Sequence, residues 1–151
     1  MTNLLLRKAA FAVALTVTVC CPPLAFAAAP EAIVAAPDRS EADRQSDSVR
    51  EPVKLLQFIG AMPGWHVLDM AAGAGYSTEL MARAVAPDGK VFAQAGRQSD
   101  KLAERLKTPA MANAESIVTP ADNLSNPSLK NLDLVTFLFG YHPPGRSRQD
   151  G

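Results

Sequence analysis

The residues of this 151-residue chain best arranged for chemistry lie in one short stretch, HVLDMAAGAGYSTEL, from His66 to Leu80. An acid, Asp69, comes near the end of an apolar run, and small residues from Ala71 to Gly75 follow before an amphipathic pattern resumes. Asp is almost never fully buried unpaired, so a carboxylate there is a candidate to accept hydrogen bonds from the ammonium or hydroxyl group of a ligand. Gly73 and Gly75 have no side chains to keep a ligand off the backbone. A helix starting just beyond them presents unpaired N–H groups and the positive end of its dipole. The same residues admit a plainer reading, a tight strand-to-helix turn capped by Asp69. Tyr141 and His142, in FLFGYHPP, are the weak catalytic candidates; histidine is a candidate base near neutral pH. His66 falls at the opposite end of its strand from such a site and reads as structural. No pair of histidines has metal-ligand spacing, and no Gly-x-Ser-x-Gly elbow occurs.

The elements that must position these residues can be read from periodicity. Pro52 suits the first turn of a helix, and Val53, Leu56 and Ile59 recur at helical spacing before Gly60. Strands are predicted at Trp65 to Met70, at KVFAQ (90–94), at SIVT (116–119) and at LDLVTFLF (132–139). Between them, Tyr76, Leu80, Met81, Ala84 and Val85 share one helical face, and a further helix is predicted from about Asp100 to Lys107. Strands alternating with helices imply right-handed crossovers and an α/β fold, a Rossmann-like parallel sheet covered on both faces. In such sheets ligands bind beyond the carboxyl ends of the strands, where the small-residue turn sits. The stretch from Ala28 to about Asp47 mixes Ala, Pro and charge without sustained apolar period, so it reads as a linker or a loosely attached polar helix that contributes no core.

The dinucleotide fingerprint requires a small residue three places after the second glycine, and Thr78 stands there. The segment instead resembles motif one of class I S-adenosylmethionine-dependent methyltransferases, Asp-x-Gly-x-Gly-x-Gly, over Asp69 to Gly75, with Ala71 in place of the first glycine. The likeness runs from roughly Pro52 to Tyr141. FIGAMPGWHVLDMAAGAGYSTELMARAVAPDGKVFAQ is similar to a group of exported proteins predicted to be methyltransferases. The resemblance implies S-adenosylmethionine as cofactor, with Asp69, Ala71, Gly73 and Gly75 facing its methionyl part. It also implies a ribose-holding acid at the end of the second strand, where only Gln94 is offered, and an acid near the adenine amine, for which Asp122 and Asn123 in TPADN are the candidates. A small-molecule methyl acceptor is the implied partner. A nicotinamide-dependent oxidoreductase and an inactive fragment or ligand-binding module are the alternatives.

Composition narrows the setting. With 48% hydrophobic and 20% charged residues the chain is globular in type. Arg7 and Lys8 precede an uncharged apolar run, Ala9 to Val19, and Ala25 and Ala27 suit a signal peptidase, so residues 1–27 read as a secretory signal peptide. That run is shorter than the roughly 20 residues a membrane span needs, and Val19 before Cys20 departs from a lipoprotein signal, so no stable membrane anchor is expected. Cleavage there removes both cysteines. The chain's 15 Lys and Arg less Arg7 and Lys8 leave 13 against 15 acidic residues, a formal charge of −2 that recommends no nucleic-acid surface. The expected organisation is a linker over 28–47, the N-terminal part of a methyltransferase-like domain over 48–142, and an unstructured tail over 143–151. Four strands of a normally seven-stranded fold suggest a truncated copy, whose apolar fourth strand would be an exposed edge open to self-association. Protein recovered from the periplasm should begin at Ala28 or within a few residues of it. Intact-mass measurement checks this, and a retained start or an acylated cysteine would overturn it.

Overall fold

The structure, a computed structural model, describes residues 27–139. Strands β1 (His66–Met70), β2 (Lys90–Ala95), β3 (Ala114–Val118) and β4 (Leu134–Phe137) form one parallel sheet in the order β3-β2-β1-β4. Each lies within two residues of its predicted bounds. The helices are α1 (Pro30–Val34), α2 (Glu41–Arg50), α3 (Pro52–Ile59), α4 (Tyr76–Val85) and α5 (Asp100–Arg105), with a 3₁₀ turn at Pro109–Met111.

Strand alternation divides the core in two. On one face Val67, Val91 and Ala93 pack against Met81, Ala82 and Val85 of α4, Leu102 of α5 and Met111 of the 3₁₀ turn. On the other, Leu68, Phe92 and Ile117 lie beneath Leu124, Leu129 and Leu132 of the connection from β3 to β4. Both faces are covered as expected, and among the described residues the cover on this second face is a loop. The cause is local. Asn123 and Asn126 accept from the backbone N–H of Ser125 and Ser128, and such Asx turns, with Pro120 and Pro127, offer the backbone an alternative to helix. The cover is thin, and Val135 and Phe137 on that face of edge strand β4 remain 52% exposed.

The stretch expected as a linker or a loosely attached polar helix takes the second of these forms. Most of it is helical and packed, with Ile33 of α1 buried beside Leu56, Tyr76, Leu80 and Ala84. Helix α2 brings almost no apolar surface and is fastened by charge. Ser40 caps it by accepting from the N–H of Asp43 at 3.1 Å. The guanidinium of Arg39 donates to both oxygens of Asp47 at 2.7 and 2.8 Å, and that of Arg105 to both oxygens of Asp43 at 2.5 and 2.9 Å. The hydroxyl of Tyr76 donates to Asp47 at 2.7 Å. Since α1, α2 and α3 close over the outer side of α4, that helix is buried nearly all round, including Ser77, Thr78 and Glu79.

The hydrogen bonds from Arg39 hold the Asp47 carboxyl below its ordinary value of 3.8, with Tyr76 adding to the effect against the cost of burial. A depressed folded value makes this stabilisation complete above the ordinary value and lost as pH falls through the folded one. Asp47→Asn should cost about 2 kcal/mol at pH 7, the scale of a charge-assisted hydrogen bond. It should also flatten the loss of stability below pH of about 4 relative to the parent, as read by urea unfolding at a series of pH values.

Candidate cofactor-binding site

At the carboxyl end of β1 the chain turns sharply. Ala71 takes a left-handed conformation, φ 55°, and its N–H donates to Oε1 of Gln94 at 2.9 Å. The N–H of Ala72 donates to the backbone oxygen of Gln94 at 2.9 Å, and that of Gly75 to the oxygen of Ala72 at 2.8 Å. The two glycines are needed for different reasons. Gly73 has φ 58°, and a Cβ there would meet nothing nearer than the oxygen of Ala71 at 3.9 Å, so the space beside it is open. Gly75 has φ 84°, and a Cβ there would lie 2.8 Å from Cδ1 of Leu102 and 3.0 Å from Cδ of Arg105. Gly73 faces a groove; Gly75 lets α5 come close.

Two concavities flank the loop. The larger, about 480 Å³, is lined by Ala71, Gly73, Ala95, Gly96, Arg97 and Ser99. The smaller, about 220 Å³, lies between the loop and α2, and Asp43, Ser46, Arg50, Gly73, Arg105 and Phe139 contribute to its walls. The guanidinium of Arg50 sits 4.3 Å from the ring centre of Tyr76 and 4.7 Å from that of Phe139, within cation–π range of both. Gly73 lines both concavities.

Asp69 lies inside the protein. It is 0% exposed, and its carboxylate accepts from Oγ of Ser77 at 2.9 Å, Oγ1 of Thr78 at 2.7 Å and Oγ1 of Thr136 at 3.1 Å. Burial raises its pKa, while the bonds from Thr78, Ser77 and Thr136 oppose the rise. The Asp69 carboxylate is spent on the start of α4 and on β4, and it lines neither concavity. Gln94 is likewise engaged within the protein. It is 1% exposed and its amide is committed, accepting from Ala71 and donating to the oxygen of Thr119 at 2.6 Å. The strand residue that reaches the groove is its neighbour Ala95, as side-chain alternation requires.

Asp122 and Asn123 are exposed in the connection after β3 and line neither concavity. The backbone oxygen of Asn123 accepts from Oγ1 of Thr119 at 2.6 Å and its side chain closes an Asx turn. Tyr141 and His142 fall outside the described residues. His66 stands at the amino end of β1 with its ring edge toward Phe92. Periodicity missed Asp43, Ser46 and Arg50, because α2 has no apolar stripe to announce its packing. It also missed the hydroxyl donors to Asp69, although Ser77-Thr78 at the start of the helix was a usable signal. Among the described residues no group of three His, Cys, Asp or Glu could hold a metal ion, and no helix is long and apolar enough to cross a membrane.

A parallel sheet whose order reverses between β1 and β4, with a glycine loop at that point, is an open α/β fold with a crevice at its topological switch point. No protein-family model matches the chain. Its fold is similar to that of a SAM-dependent methyltransferase from Aquifex aeolicus, with TM-score 0.55 and 22% identity over 62% of this chain and 50% of that one. Cofactor-bound Rv0187 from MTB aligns over 72% of this chain and 49% of its own, at 27% identity and TM-score 0.42. A 40-residue stretch, 26% of this chain and 15% of the other, is 45% identical to protein-L-isoaspartate O-methyltransferase of Aeropyrum pernix. The chain thus spans about half the length of the Aquifex protein and a smaller part of the Aeropyrum one.

Removing the carboxylate should strand three buried hydroxyls, so Asp69→Ala is expected to cost about 3 kcal/mol, each orphaned group contributing on the scale of 1 kcal/mol. Gly75→Ala combines a left-handed backbone with an overpacked contact and should cost about 2–3 kcal/mol, whereas Gly73→Ala carries only the backbone penalty of about 1 kcal/mol. Urea unfolding of the three variants checks both the sizes and the order.

Proposed function

We propose that the crevice at Gly73 binds S-adenosylmethionine and that this chain is the cofactor-binding part of an exported methyltransferase. The observation that carries the reading is Gly73 itself, a left-handed residue with open space beside it, shared by both concavities at the switch point of the sheet. The cofactor is long, with a nucleoside at one end and an amino acid at the other, and two concavities meeting at a bare backbone suit such a shape. Thr78 argues against a dinucleotide. Where that class needs a small residue for close helix packing, this chain has a hydroxyl spent on Asp69. The fold likeness to the Aquifex methyltransferase and the stretch shared with the Aeropyrum enzyme support the same reading.

The residues present would hold the cofactor in a division of labour. Gly73 and Ala71 would offer backbone at its middle, and the larger groove would take the nucleoside on the apolar floor of Ala71 and Ala95. In the smaller concavity Arg50, which has no carboxylate partner among the described residues, would suit the carboxylate at the amino-acid end of the cofactor. When bound, the cofactor supplies an activated methyl group on a sulfonium. The protein's task is then alignment, which can be worth effective molarities of about 10⁵ M or more. Walls for a methyl acceptor belong across the switch point from β1, so the chain as given should transfer methyl groups slowly or not at all.

Isothermal titration of the folded chain should show S-adenosylhomocysteine binding more tightly than NAD. Gly73→Val, which fills the backbone approach, should weaken it about tenfold or more, a loss of about 1.4 kcal/mol. Equal or tighter binding of NAD would overturn the assignment, and so would a folded protein that binds neither.

A further inference from the structure

Among the described residues four non-glycine residues have left-handed backbone, and three of them gather at the smaller concavity. Ala71 (φ 55°) and Phe139 (φ 58°) line it, and Glu51 (φ 46°) directly follows Arg50, which lines it too. Strain of this kind persists only where the surroundings impose it, and it clusters at ligand clamps and active sites. Ala71 belongs to the glycine loop, and Glu51 to the break between α2 and α3. Phe139 needs another reason. A positive φ is least favoured by a bulky side chain, and burial does not offset it, because this residue is 51% exposed.

The contacts of Phe139 supply the reason. Its ring stands edge-on to that of Tyr76, with centroids 6.1 Å apart and an interplanar angle of 78°. The guanidinium of Arg50 lies against both, 4.3 Å from the centre of Tyr76 and 4.7 Å from that of Phe139. Tyr76 is itself fixed, being buried with its hydroxyl donating to Asp47. Cation–π contacts use the charge and the flat face of an arginine and take none of its N–H donors. Arg50 is thus held in place with its donors free.

The other polar side chains on these walls are engaged. Asp43 accepts from Arg105 through both oxygens, Arg105 also donates to Glu79 at 2.6 Å, and Oγ of Ser46 donates to the backbone oxygen of Ala42 at 3.0 Å. Arg50 forms no hydrogen bond or ion pair among the described residues. A clamped guanidinium presents a planar fork whose geometry matches a carboxylate.

We propose that Tyr76 and Phe139 are positioning residues that aim the Arg50 fork at the ligand's carboxylate, and that this carboxylate is the group the smaller concavity selects. This rests on the reading that the crevice at Gly73 takes an adenosyl ligand. It adds which end group decides affinity and which side chains orient the arginine that reads it.

The test is titration calorimetry of S-adenosylhomocysteine against S-adenosyl-3-thiopropylamine, the same molecule without its carboxylate. The parent should bind the first at least about tenfold more tightly. That preference should fall to within about twofold in Arg50→Gln, and Arg50→Lys, which keeps the charge and loses the fork, should recover no more than about threefold of it. Phe139→Leu, which leaves the arginine and removes one ring, should lower the preference about threefold, and Phe139→Tyr should retain it. Affinity for the thiopropylamine should stay within about twofold of the parent in all four variants, a split that general damage to the fold would not produce. Equal binding of the two ligands by the parent, or a preference that survives Arg50→Gln, would overturn the inference and leave the cofactor assignment standing. A preference unchanged by Phe139→Leu would overturn the positioning role. Absence of binding by both ligands would overturn the inference and the cofactor assignment together.

Discussion

The arrangement around the site depends on a carboxylate that never meets water. Asp69 sits in the middle strands of the sheet, where ionisation is costly, and three hydroxyls from two other elements meet that cost. Ser77 and Thr78 belong to the first turn of α4 and Thr136 to β4, so one side chain fixes the start of the helix and the edge strand relative to β1. The loop between strand and helix has little freedom left. Its backbone is clamped from the other side by Gln94, itself tied to the end of β3 through Thr119. The backbone at Gly73 is thus held in place, and preorganisation of this kind would lower the ordering cost of the proposed binding.

Much of this was legible in the residues alone, for reasons that can be named. Strands β1, β2 and β4 are short apolar runs bounded by turn formers, and α4 carries its apolar residues on one face, so their existence and order followed from pattern. The glycine loop followed from small residues at a strand-to-helix junction. The roles of individual polar residues did not, because a one-residue shift along a strand reverses the side of the sheet. Gln94 looked like the strand end available to a ligand, and the register makes Ala95 that residue. Asp69 looked unpaired because its partners are eight, nine and 67 residues away.

The N-terminal helices show a different limit. Helix α2 is as polar as a linker, and nothing in its own composition says that it will dock. Its attachment is written in residues such as Arg105, 62 positions from Asp43. Pairs of this kind satisfy each other only when buried in good geometry, and removing one partner leaves the other uncompensated. Once docked, α2 turns the outer face of α4 into interior and supplies one wall of the smaller concavity. A segment that contributes little apolar burial thus decides the shape of the site.

The pairing of β1 with β4 has a consequence for how the chain reaches this state. Every other strand contact joins neighbours in sequence, closing loops of roughly two dozen residues, whereas Leu134 of β4 pairs with Val67 on the side of β1 away from β2 and β3. Closing the longer loop costs only a little more entropy, but it places the pairing late. Without β4, Asp69 lacks the hydroxyl of Thr136 and has an open side where that strand lies. Pairing of β4 thus ties one edge of the described sheet to the acid that also holds the start of α4.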